Sequence, residues 1–248
     1  MFMNVKLVLL ITTVVSLLIL ENKFPFFSFG NSLRSRIVTN FGLGAINTIC
    51  SSILTIAIAQ IGILPPFDLG IITAIPNLAM AGMLSFLILD LYMYLWHRSM
   101  HQLPLAWRFH RLHHTDRTMN VSTAYRFHPV EIISSSIPKL ALIWLLGIPR
   151  GFVLIYELGF LVVVALHHSN LALPTSIDRL LKYLIVTPNA HRIHHSQILV
   201  ETNANYGSVL IWWDWIFGTH NDRSDVINIH LGLPDQPSID LKPADLIN

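Results

Sequence analysis

The sequence predicts an all-α fold: a multi-pass membrane helical bundle of four to five transmembrane helices in hairpins, carrying a helical, histidine-rich metal-binding cap on its cytoplasmic side. Three observations carry that expectation. Of the 248 residues, 53% are hydrophobic and only 12% charged, where soluble domains average about 25% charged. The apolar residues fall in runs close to the length that crosses a bilayer as a helix, about 20 residues. The 13 histidines are absent from residues 1–96 and then gather where those runs end.

The first run, Val5–Leu20, is short and has Lys6 near its start. It resembles a signal sequence but shows no convincing small-residue cleavage site, and reads as a retained first helix or an interfacial one. Phe41–Leu64 and Ala74–Trp96 follow, joined by Pro65-Pro66-Phe67-Asp68. Val130–Ile148 and Phe152–His168 form a second hairpin around Pro149-Arg150-Gly151 and are less clean, since they carry Glu131, Lys139 and Glu157. Pro138 and Lys139 interrupt the outgoing segment, so a kink or a shallow re-entrant hairpin is an alternative there. Residues 1–40 read as an N-terminal hydrophobic segment and basic loop, and 41–248 as a single membrane-embedded domain. No low-complexity linker or second-domain boundary is visible.

Basic residues set the expected orientation. Arg34 and Arg36 precede the second segment, and Arg98, Arg108, Arg111, Arg117 and Arg126 crowd the stretch after the third. Both places read as cytoplasmic, with Arg150 the basic residue on the other side. Every histidine cluster then falls on the cytoplasmic face, just past a helix end. The net charge of +2, without a basic patch interleaved with aromatics, gives no reason to expect nucleic-acid binding. A lone cysteine, Cys50, excludes an intramolecular disulfide and a Cys-ligated iron–sulfur cluster on this chain alone.

Eight histidines fall in three tight sets: His97 and His101; His110, His113 and His114; His191, His194 and His195. Residues three and four apart share a helix face, so each set can aim its imidazoles at a common point. Imidazole suits Zn, Cu, Fe and Ni, and eight ligands exceed one zinc site. His128, before Pro129, and His168, at the end of the second hairpin, raise the count to ten. That supplies two metals with about five each and favours a dinuclear iron site. The Glu-x-x-His pairs of soluble di-iron bundles are missing, so nearby carboxylates fit better as partners of ligating histidines. Asp90 lies two helical turns before His97 on the same face, and an ionisable residue in an apolar segment suggests function. Its plainer alternative is a helix-end residue reaching the interface.

The order Asp90…Tyr94…His97-Arg98…His101, Trp107-Arg108-Phe109-His110-Arg111-Leu112-His113-His114, His128-Pro129…Glu131, His168-Ser169-Asn170, Pro188…His191-Arg192-Ile193-His194-His195-Ser196, Asn205-Tyr206-Gly207 and Trp213-Asp214…Phe217-Gly218-Thr219 strongly resembles the fatty acid hydroxylase/sterol desaturase superfamily. The likeness runs from about Ala81 to Thr219, with the motifs in order. It implies a membrane-bound, non-haem di-iron enzyme that uses O2 and external electrons to hydroxylate or desaturate C–H bonds of a lipid. It also implies that the eight clustered histidines are metal ligands and that His128 and His168 complete the set, with His168 favoured over its neighbour His167. Glu131, Asn170, Asn205 and Asp214 would support the ligands or the surrounding fold, while His220 and His230 lie outside the motifs.

With no electron-carrier segment visible, electrons are expected from a partner such as a cytochrome b5-like protein, a ferredoxin or a reductase. The Trp212–Phe217 aromatics are expected to pack at the membrane interface. The residues do not choose between hydroxylation and desaturation, or among sterol, fatty acyl, sphingoid, alkylglycerol and carotenoid substrates. Two other classes would use such histidines: a membrane zinc hydrolase, whose H-E-x-x-H-like pairing is missing, and a metal transporter, whose ligands would sit near the bilayer midplane.

Overall fold

Among the described residues, five helices long and apolar enough to cross a membrane form the body of the protein. A computed structural model describes residues 2–28, 33–60, 70–223 and 225–234. The helices are α1 (Phe2–Lys23), α2 (Leu33–Gln60), α3 (Leu78–Gln102), α4 (Pro104–His110), α5 (Pro129–Leu146), α6 (Arg150–His168), α7 (Thr175–Leu181), α8 (Pro188–His194), α9 (Leu199–Thr202) and α10 (Trp212–Ile216). Short 3-10 turns at His113–Thr115 and Val121–Tyr125 lie between α4 and α5. Among the described residues there is no strand, only three isolated bridges.

The spans are α1, α2, α3, α5 and α6. Ile46, Ile49, Ile53 and Ile56 recur at helical spacing on α2 and are all more than 45% exposed. Such a stripe is the outer face of a helix that meets lipid, and the chain is a multi-pass membrane protein. The inner faces of α3, α5 and α6 close on a core that includes Ala81, Leu89, Ile143 and Tyr156. At the end away from the histidines, Gly147 closes α5 in the left-handed region (φ 63°). It meets Gly70 so closely that a Cβ on Gly70 would lie 2.3 Å from the Cα of Gly147. Only glycine fits both places.

The element boundaries correct several sequence expectations. α2 begins at Leu33 rather than Phe41, so the boundary expected at residue 40 falls inside a helix. The polar residues that suggested a loop are instead bonded across to the histidine-bearing connection. Asn40 Nδ2 donates to Ser122 Oγ (3.0 Å), Arg126 Nη1 donates to Asn40 Oδ1 (2.9 Å), and Arg36 pairs with Asp116 (3.1 Å). α3 starts on an Asn77 cap (Met80 N–H to Oδ1, 3.0 Å) and continues to Gln102. His97 and His101 therefore lie within its last turns, not beyond its end. Pro104 stops the helix, because the residue before a proline disfavours the helical region. α5 runs unbroken through Pro138 as a single span. Val5–Leu20 lies within the full-length α1, which packs against α6. The Pro65–Asp68 turn lies outside the described residues.

All five spans bring one end to the same place. α3 and α6 finish there with His97, His101 and His168, and α5 starts there at Pro129. α2 starts there through Arg36 and Asn40. α1 finishes there, where Glu21 Oε2 accepts from the N–H groups of Val121 (3.0 Å) and Asn170 (2.8 Å). Nothing local in the sequence marks Glu21 for this, apart from its being an acid at the end of an apolar run. Outside the spans, Leu180, Tyr183 and Leu184 near α7, with Trp215 and Ile216 of α10, are exposed. Tyr183 and Trp215 are 6.1 Å apart between ring centres, which leaves these aromatics on an apolar outer surface.

Candidate metal centre

Nine histidines converge in two adjacent groups. His97, His101, His110, His114 and His194 form one; His113, His168, His191 and His195 form the other. Within each group, one ring nitrogen per residue lies within 4.8 Å of all the rest. The rings of His114 and His195 stack at 4.3 Å between centres and join the two. The arrangement differs from the simple reading of the spacing. Each H-x-x-H-H motif is divided, its i,i+4 pair going to one group and the histidine between them to the other. His110 and His114 enter the first group while His113 crosses to the second. His191 and His195 enter the second while His194 crosses to the first. The two motifs interlock.

Hydrogen bonds fix several ring orientations. His97 Nδ1 meets the Tyr206 carbonyl (2.9 Å), His168 Nδ1 that of Val164 (2.8 Å) and His194 Nδ1 that of Ala204 (2.7 Å). A carbonyl oxygen can only accept, so each Nδ1 carries the proton and each Nε2 a lone pair. His110 Nδ1 meets Glu131 Oε1 at 2.7 Å, which gives the same result. Nε2 of His97 and His194 has no hydrogen-bond partner and is buried. His168 Nε2 lies 3.0 Å from Nε2 of both His113 and His191, and a single lone pair cannot satisfy two such donors. The set therefore fits a metal ion, which makes converging lone pairs attractive where they would otherwise repel.

Burial keeps these rings neutral. His113, His114, His191 and His195 are held well below the ordinary histidine range, first by desolvation and then by neighbouring histidines. His194 is pushed down to about 3, chiefly by burial. Neutral imidazole is the form that binds metal.

The supporting residues divide by what they touch. Glu131 bonds directly to a ring. Asp214, raised to about 6 mainly by burial, accepts from the N–H groups of Tyr206 and Gly207 (both 2.8 Å) and from Thr219 Oγ1 (2.7 Å). It thus fixes the carbonyl that orients His97. A Cβ on Gly207 would lie 2.9 Å from Asp214 Oδ2, so this bend needs glycine. Asn205, at φ 52°, donates from Nδ2 to the carbonyls of Ala190 (3.0 Å) and Asn221 (2.9 Å), tying α8 to the loop that carries Ala204 and Tyr206. Asn170 bonds to both backbone groups of Phe27 and so holds the N-terminal connection rather than a ring.

Asp90 does not reach His97, since two helical turns are about 10 Å. It is fully buried instead of snorkelling to the interface. Its carboxylate accepts from Val209 N (3.2 Å), Leu210 N (3.0 Å), Trp213 Nε1 (2.9 Å) and Tyr156 Oη (3.3 Å), clamping α3 and α6 to the segment before α10. Arg192, between the histidines of the last motif, is also buried. Its guanidinium stacks on Phe26 (3.9 Å) and donates to the carbonyls of Ser169 and Leu171 (both 3.0 Å), which locks α8 against the end of α6.

His128 is the expected ligand that joins neither group. Its Nδ1 accepts from Val130 N (3.1 Å) as the N-cap of α5, and its ring packs on Phe109. Placement just before Pro129 in a β conformation suits a cap. Of the adjacent pair, His168 enters the second group. His167 packs its ring 4.0 Å from that of His191. A cavity of ≈ 60 Å³ opens beside both groups, lined by His97, His110, His113 and His168 with the apolar Phe127 and Phe160.

The chain is similar in sequence to several known proteins. A stretch 34% identical over 149 residues is shared with the ornithine lipid hydroxylase OlsE of Rhizobium tropici, covering 58% of this chain and 43% of that protein. The alkylglycerol monooxygenase of Danio rerio is 31% identical over 144 residues, 58% of this chain and 31% of its own length. A very-long-chain aldehyde decarbonylase, GL1-4 of Oryza sativa subsp. indica, is 31% identical over 143 residues, 54% and 22% respectively. The chain spans less than half the length of these curated relatives. No solved structure matches it. Residues 82–219, which carry both histidine groups and the loops that orient them, match the model of the fatty acid hydroxylase family, and the chain belongs to that family.

Proposed function

We propose that this protein is a membrane-bound di-iron oxidoreductase that uses O2 and external electrons to hydroxylate a C–H bond of a lipid. The observation that carries the proposal is the meeting of imidazole nitrogens in two touching groups, five and four strong, without a carboxylate among them. All-imidazole donor sets suit iron as they suit zinc, copper and nickel, and two ions would share nine nitrogens with positions left open. When bound, the pair of irons supplies the redox chemistry that activates O2 against an unactivated C–H bond.

The chain's own residues prepare and protect that site. The Tyr206, Val164 and Ala204 carbonyls and the Glu131 carboxylate hold protons on the outer ring nitrogens and turn the inner ones together. Asp214 and Asn205 keep the carbonyl loop in register. Phe127, Phe160, Met93, Trp96 and Val164 make an apolar wall beside the histidines, where an alkyl chain can lie and water is kept out. Relatives named for the hydroxylation or oxidation of lipids support this class of substrate.

The arginines at the histidine end, from Arg98 to Arg126, support a cytoplasmic position for that end under the positive-inside rule. A soluble or peripheral donor, such as a cytochrome b5-like protein, a ferredoxin or a reductase, would reach it there. The decisive experiment combines metal analysis with isotope labelling. Purified protein should carry about two irons per chain, and lipids of expressing cells grown under 18O2 should gain one labelled hydroxyl. A single tight zinc, or a lipid profile unchanged by expression, would reject the proposal. A new double bond without label would redirect it to desaturation.

A further inference from the structure

A second and larger cavity, of ≈ 780 Å³, lies within the membrane span between α1, α2, α5 and α6. Phe127 and Phe160 line both it and the histidine cavity, so these two rings separate the two spaces. Its walls are unusual for a lipid-embedded void. Along α2, Asn47, Thr48, Ser51, Ser52 and Thr55 line it. Asn47 is 7% exposed and donates to the Phe127 carbonyl (2.9 Å), yet its Oδ1 has no hydrogen-bond partner.

Three charges face the same space: Lys6, Lys139 and Glu157. Glu157 pairs with Lys139 on α5 through Oε1 and with Lys6 on α1 through Oε2 (3.3 Å). Glu157 lies 11 positions before His168 on α6, about 16 Å along the helix. That is near the middle of a hydrocarbon core of about 30 Å. Ionisable groups at that depth are costly and mark function by default. One carboxylate against two ammoniums leaves an excess positive charge. A purely structural clamp between helices would need only a neutral pair.

We propose that this cavity seats the acidic group, carboxylate or phosphate, of a long-chain amphiphile, with the chain running between Phe127 and Phe160 toward the histidines. The anion would balance the excess charge beside Lys139. The proposal rests on the reading of the histidine site as a lipid-oxidising centre, and it names the kind of lipid. Its test is therefore binding, which does not need turnover.

Full-length protein in neutral-lipid nanodiscs is titrated with palmitate, hexadecyl phosphate and hexadecanol, with and without an iron chelator. Palmitate and hexadecyl phosphate should bind saturably, hexadecanol about tenfold more weakly, irrespective of iron. Lys139→Gln should bring both anions down to the hexadecanol level, and Lys139→Arg should retain them. Should Lys139→Gln fail to fold, Lys6→Gln at the more exposed lysine and the anion-against-alcohol comparison on the unaltered protein still decide. Equal binding of hexadecanol and palmitate, or unaltered palmitate binding in both lysine-to-glutamine variants, would overturn the proposal. Loss of the oxidase reading would leave the binding result intact. Selective binding of only one anion would assign the source as carboxylate or phosphate.

Discussion

Glu131 offers the sharpest test of the metal centre, because it reaches one group and not the other. Its carboxylate is buried and accepts from His110 Nδ1 at 2.7 Å. Removing it leaves a buried ring N–H without a partner and frees His110 to turn. A hydrogen bond to a charged group contributes about 1.5–3 kcal/mol. Since tenfold in affinity is about 1.4 kcal/mol, that range is the 10- to 100-fold typical of removing a partner behind a metal-binding histidine. Glu131→Gln keeps an acceptor oxygen but loses the charge, so the loss should be about tenfold. Glu131→Leu keeps neither, and should approach a hundredfold. The assay is chelator titration of the purified protein with iron counted by mass spectrometry. The His97/His101/His110/His114/His194 group should release its ion first, so the variant should pass through a state with one iron per chain. Release of both ions together at the wild-type chelator concentration would refute the assignment of Glu131 to one group.

Two further outcomes follow from the geometry. His128→Ala should keep its full metal content and lose only about 0.5–2 kcal/mol of stability, the range for a lost N-cap, whereas His168→Ala should lose metal from the second group; iron analysis with thermal unfolding of both variants checks this. The metal-free protein should lose stability as pH falls below 6.5. His113, His114, His191, His194 and His195 have folded pKa values below their unfolded ones, His194 down to about 3, so the unfolded chain binds more protons in that window. Asp214, raised to about 6, acts in the opposite sense between pH 4 and 6, but among the groups outside the spans it stands alone against these five imidazoles. A melting temperature that rises on acidification from pH 7 to 5 would show the balance to be wrong.

The local rules carried far. Apolar runs of bilayer length located the spans, but the expectation that each histidine set aims at one point held only for His97 with His101; the other two sets are split between the groups. Boundaries set by polar residues were less legible. Asn40 and Arg36 read as loop because their partners, Ser122, Arg126 and Asp116, are some 80 residues away. Asp90 looked like a partner of His97 from its position on one helix face, but an aspartate side chain cannot span two turns. Its partners are the backbone N–H groups of Val209 and Leu210 and the side chains of Trp213 and Tyr156, which no spacing on α3 reveals. His128 shows the converse case. Its position in the motif suggests a ligand, while the adjacent proline makes it the cap of α5.

What the sequence by itself determined is the membrane-spanning helical architecture, the crowding of histidines at one end of it, and the family. These depend on periodicity and on spacing within a turn or two, which are local. Only the tertiary structure decided how the histidines divide into five and four, and which nitrogen each presents. It also decided which carbonyl or carboxylate holds each ring, and that Lys6, Lys139 and Glu157 share one cavity. Those facts depend on the approach of helices distant in the chain, and on carbonyls that every residue possesses. A backbone oxygen becomes a histidine's partner by position alone, and no side-chain pattern records that position.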